Sequence, residues 1–103
     1  MAQKKFDGVV EAVRYSIDGS IMLVRLFERR GAAFSDHVLM SREDLMRLLK
    51  SRHKLVTGTR VEFMAGTFET KHPIITEGVS GKEIILTQGS QQSHDWLQDV
   101  PLF

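Results

Sequence analysis

Ser41 to Lys50, SREDLMRLLK, constrains this chain most, because it carries a clear helical signal between two regions that alternate like strands. Ser41 is a good N-cap, and Asp44 three residues on completes a capping-box pattern with Asp in place of the usual Glu. Met40 and Leu45 stand where a hydrophobic staple would. Leu45, Leu48 and Leu49 form an apolar stripe with Met46 beside it. Glu43 and Arg47 can pair at i,i+4, and Lys50, Arg52 and His53 suit the negative end of the helix dipole. One packed helix is therefore expected at about 41–53, with Gly58 marking the turn out.

Strand patterns lie on both sides. Phe6 to Tyr15 is rich in Val and aromatics, and Asp18-Gly19 is a strong hairpin signal. Ile21 to Arg29 alternates, with Met22, Val24 and Leu26 expected in the core. Ile21, Leu23, Arg25, Phe27 and Arg29 share the other face. Gly31 turns the chain into a third strand, Phe34 to Met40. After the helix, Thr59 to Met64, Thr67 to Lys71, Ile74 to Glu77 and Glu83 to Thr87 read as extended. Pro73 reads as an edge or a strand break.

The order is βββ-α-βββ, an α+β and mostly-β chain. Short twisted strands with one helix suggest a small antiparallel β-barrel or a strongly curved sheet, because closure removes free edges. Three strands, a helix and two strands is the order of the OB-fold, and an SH3-like barrel would read similarly. This is a resemblance to an architecture. Residues 1–87 are expected to form one domain. Residues 88–103 are expected to be a polar linker and an apolar tail of Trp96, Leu97, Val100, Leu102 and Phe103. That tail packs on its own domain or on a partner, where it would support a homodimer.

Of the 103 residues, 42% are apolar and 26% charged, which fits a folded domain. There is no cysteine, which excludes disulfides, thiolate metal sites and a Cys nucleophile, and suits a reducing cytoplasm. The start lacks an apolar h-region and no window approaches a membrane span, so a soluble protein without membrane contact is expected. Net charge is +1, but nine bases oppose four acids between Arg25 and Arg60, enough for a local basic patch.

Little catalytic chemistry is visible. Ser35, Asp36 and His37 invite a triad reading, yet on a regular strand Asp36 faces away from the other two. The four histidines lie far apart in sequence, without the close spacing of a zinc motif, and GVSGK lacks the spacing of a Walker loop. No metal, cofactor or enzymatic activity is expected. A small enzyme using His37 with Glu28 or Asp36 is the third class, and its sign would be a concave pocket around His37.

The alternating face of the second strand carries the functional expectation. Arg25, Phe27 and Arg29 project together, as on a platform where a ring stacks a base and guanidinium groups hold phosphates. Arg30 extends that face, and Arg60 or Lys71 could join it. The plainer reading puts Phe27 half in the core with the arginines extended over it. The expectation is a non-enzymatic binding module for single-stranded nucleic acid or another anionic partner, such as an anionic protein surface. The alternative is a protein-interaction or homo-oligomeric module using the tail.

Overall fold

The computed structural model describes residues 6–30, 33–51, 53–60, 68–79 and 81–103; for 30, 33–37, 60 and 68 it describes the backbone alone. Strands β1 (Gly8–Tyr15), β2 (Ile21–Arg30) and β3 (Ala33–Ser41) come first. Helix α1 (Arg42–Lys50) follows, then β4 (Leu55–Arg60), β5 (Phe68–Glu77) and β6 (Ile84–Thr87). The α+β, mostly-β class and the βββ-α-βββ order stand. Barrel closure does not: the strands form a six-stranded sheet in the order β3-β2-β1-β4-β5-β6, with β3 and β6 at its edges.

Nor is the sheet wholly antiparallel. β1 and β4 pair parallel through Gly8–Leu55, Val9–Val56 and Val10–Thr57. The reason is in the connection. β2 runs against both β1 and β3, so β3 and β4 point the same way, and the chain between them must cross back along the sheet. Parallel neighbours need such a crossover, and α1 supplies it. Ser41 Oγ accepts the Asp44 N–H at 3.3 Å, as its N-cap position predicts. The helix ends earlier than expected, at Lys50, and its ion pair joins Arg47 to Asp44 at i,i+3 rather than to Glu43. Leu45 is buried, while Met46, Leu48 and Leu49 pack partly against the core.

Irregular pairings correct the strand expectations. Arg14 pairs with Leu23 but Tyr15 pairs with Ile21, so Met22 is an extra residue on β2. The bulge reverses the alternation: Ile21 is buried at 3% exposure and Met22 is 47% exposed. The Asp18-Gly19 turn forms as expected, with Gly19 at φ 90°. Asp18 accepts from the hydroxyls of Ser16 and Ser20 and from the Ser20 N–H, which holds its carboxyl down at about 2.

Pro73 belongs to neither an edge nor a break. It sits inside β5, opposite Val56, next to a register shift between the Val56 and Gly58 pairs. Thr57 lies at that shift, fully buried, and its Oγ1 accepts the His72 N–H at 3.1 Å. Gly58 likewise is not a turn out of the helix. It lies within β4, where a Cβ would run into the Glu69 carbonyl oxygen of β5. The C-terminal part of the expected strand Thr59 to Met64 lies outside the described residues.

The main core gathers Val10, Val13, Ile21, Val24, Leu26, Leu45, Leu55, Ile74, Ile85 and Leu97. Val9 and Phe27 are also buried; they are cross-strand partners, and adjacent residues on a strand point to opposite faces. Both faces of the sheet are thus buried at its β1–β2 centre.

Candidate ligand-binding face

Phe27 is 1% exposed. Its ring is covered although it shares the face of Arg25, so β2 itself offers no open ring between Arg25 and Arg29. The guanidinium groups are nonetheless accompanied by rings, which arrive from the two ends of the chain. Arg29 lies 5.8 Å from the centroid of Phe6, and its Nε donates to the Phe6 carbonyl at 2.8 Å. Arg25 lies 5.2 Å from the ring centroid of Phe103, and Arg14 lies 4.8 Å from the same centroid. Cations at these distances are attracted by the ring quadrupole.

Arg14 and Arg25 share a face because their strands are in register. Ala12 pairs with Arg25 and Arg14 with Leu23, so Ala12, Arg14, Leu23 and Arg25 lie on one side. Glu11 is the extra residue of a bulge between the Val10–Leu26 and Ala12–Arg25 pairs. Its carboxylate accepts from Arg25 Nε at 2.9 Å and is the more buried partner. Arg14 Nε donates to the Phe103 carbonyl at 2.9 Å.

The other expected site residues are dispersed. Lys71 is exposed on β5, three strands from β2 in the sheet order. The side chains of Arg30 and Arg60 lie outside the described residues, as do those of Ser35, Asp36 and His37. The backbone of β3 places His37 opposite Phe27, with a register shift before the Arg29–Phe34 pair. The shift leaves Ser35 and Asp36 between these two pairs with one more residue on β3 than on β2.

The tail packs on its own sheet. Trp96 N–H donates to the Ile85 carbonyl and its own carbonyl accepts from Thr87, bridging the outer edge of β6. Its ring stacks on Tyr15 at 6.3 Å, and the Tyr15 hydroxyl accepts the Leu97 N–H. Leu97 is buried and Val100 packs on the core. The β1–β4 register ends at Val10–Thr57, and at Val13 the tail pairs with β1 instead. Val13 N–H donates to Pro101 at 2.9 Å and Phe103 N–H to Val13 at 3.1 Å. Leu102 points outward, 71% exposed.

Asp95 anchors this tail, although its polar surroundings in sequence suggest a linker. Its buried carboxylate accepts the N–H groups of Ile21 and Ile85 and two bonds from Arg42. Burial raises its pKa, but the Arg42 hydrogen bonds, the two amides and the Arg42 charge outweigh that and hold it below the ordinary Asp value. No signal in sequence singles out Asp95, Glu11, Arg14 or Phe6 for these roles.

A concavity of about 290 Å³ lies among His72, the 88–92 loop and Gln98. His72 Nε2 meets Asp99 Oδ2 at 3.3 Å there, while the Ser90 hydroxyl bonds to Thr87. Among the described residues no group of three or more His, Asp or Glu could hold a metal ion, and no helix is long and apolar enough to cross a membrane. No protein-family model, curated protein or solved structure matches the chain significantly.

Proposed function

We propose that the protein is a small, non-enzymatic binding module. Single-stranded nucleic acid runs past the Arg14, Arg25 and Arg29 guanidinium groups of β1 and β2, around a centre at Val9, Ala12 and Phe27 that is already buried. Arg14, Arg25 and Arg29 supply the cations and flat guanidinium planes, Phe6 supplies a ring beside Arg29, and the Phe103 ring marks the place between Arg14 and Arg25 where a π system lies. The side chains of Arg30 and Arg60 lie outside the described residues and Lys71 is three strands from β2, so the reading rests on none of the three. A cysteine-free chain of this kind suits the reducing cytoplasm.

The observation that carries this reading is the Phe103 ring lying within 4.8 and 5.2 Å of two guanidinium groups on one sheet face. Guanidinium planes and aromatic rings together stack bases irrespective of sequence, and the charges draw the backbone. Phe27 is buried on this face and is not open to stack a base. Tail-mediated self-association is less favoured, since Trp96, Leu97 and Val100 are engaged with their own domain.

Fluorescence anisotropy with a labelled, mixed-sequence single-stranded DNA at low salt tests the proposal. Binding should weaken steeply as salt rises, because bound phosphates release counterions. Arg25→Ala with Arg29→Ala should weaken it further. Absence of binding at low salt would overturn the reading.

A further inference from the structure

The last three residues are held differently from the rest of the tail. Asp95, Leu97 and Val100 engage the core or its buried polar groups. Beyond Val100, Pro101 and Leu102 are exposed. Among the described residues this end is held by two main-chain bonds with Val13, the Arg14 bond to the Phe103 carbonyl, and the two cation–ring contacts. Residues 101–103 can therefore leave the sheet while Asp95 and Leu97 keep the tail anchored.

What Phe103 occupies is a slot with defined chemistry. Glu11 takes the Nε–H of Arg25 and fixes that guanidinium. With part of its charge answered there, Arg25 is better suited to lie against a ring than to grip a phosphate. Arg14 adds a second cation and an N–H that donates to a carbonyl oxygen beside the ring. A flat π system with a carbonyl acceptor at its edge matches this slot, and a nucleobase provides both.

We infer that Arg14 and Arg25 form a base-stacking subsite within the proposed single-strand face, and that Phe103 is its resident occupant, displaced when a strand binds. The inference rests on the single-strand reading and adds regulation to it: the tail and the ligand compete for one slot. Emptying the slot strengthens binding, and removing its walls abolishes that gain.

The test measures binding of fluorescein-labelled oligothymidylate of roughly 15 nucleotides to the full chain and three variants at low salt. Phe103→Ala removes the competing ring. Phe103→Leu keeps apolar bulk without a π face, and guards against a general loss of tail packing. Each should bind roughly threefold to tenfold more tightly than the parent, since two partly exposed cation–ring contacts are lost from the closed state. Adding Arg14→Ala to Phe103→Leu should reverse the gain. If the parent binds and neither Phe103 variant binds more tightly, the subsite is wrong while the single-strand face stands. If neither the parent nor any variant binds, the face is wrong and the subsite falls with it.

Discussion

Arg42 grips Asp95 with two nitrogens, Nε at 2.7 Å on one carboxylate oxygen and Nη2 at 3.1 Å on the other. The same Nη2 donates to the Glu83 carbonyl at 2.6 Å. The first residue of the helix is thereby tied to the start of the tail and the approach to β6. Asp95 is nearly inaccessible and Arg42 about one-third exposed, so the pair is buried from one side. Removing Arg42 leaves a buried carboxylate with two amide donors and no counter-charge. Arg42→Ala should therefore cost about 2–4 kcal/mol, somewhat below a fully buried pair because water reaches the arginine. Urea unfolding measures it. A shift within about 0.5 kcal/mol, the range of an ordinary surface change, would refute the tie.

Acid should act through the same carboxylate. Its folded pKa is depressed, so its contribution to stability is present above the unfolded value near ~3.9 and is lost as pH falls through the folded value. Asp18, held at about 2, acts in the same direction at the first hairpin. Trp96 adjoins Asp95 and stacks on Tyr15, so its fluorescence should report the tail loosening. Below about pH 4 the parent should lose stability more steeply than Asp95→Asn. Equal slopes for the two would remove Asp95 from the acid response.

Gly58 tests the close approach of β4 and β5. The obstacle to a Cβ is main chain, the Glu69 carbonyl, which cannot swing aside as a flexible side chain can. Gly58→Ala should cost about 1–3 kcal/mol, the range for overpacking a tight site. Gly19 has open space around it but a positive φ, so alanine there strains the turn without a clash. Thermal melts should show the Gly58 variant well below the parent.

These relationships differ in how far the sequence reveals them. Helix α1 is legible because its signals are local: Ser41 caps the Asp44 amide three residues away, and Leu45 points to the core within the same turn. The Asp18-Gly19 hairpin is legible for the same reason. The parallel β1–β4 pairing is not, because no residue of either strand encodes which edge its partner takes. Bulges hide similarly: one extra residue, Met22, exchanges the faces of Met22 and Ile21. Asp95 sits in a run of polar residues, and its burial depends on Ile21, Arg42 and Ile85, which meet only in the fold. The cationic face is half legible. The register of β2 predicts Arg25 and Arg29, but not that their rings come from Phe103 and Phe6.

Phe27 and Arg25, two residues apart on β2, should separate folding from binding. Phe27 is buried opposite Val9, so Phe27→Leu should lower stability by about 1–2 kcal/mol through imperfect filling of its space. It should leave oligonucleotide affinity unchanged, because its ring meets no ligand. Arg25 is partly exposed and paired with Glu11 at the surface, so Arg25→Ala should change stability by at most about 1 kcal/mol. Its effect belongs to binding: weaker affinity at low salt, from the loss of one wall of the slot around Phe103. Paired urea melts and anisotropy titrations distinguish the two. A Phe27→Leu variant that folds as stably as the parent but binds poorly would return the stacking role to Phe27 and remove it from the slot between Arg14 and Arg25.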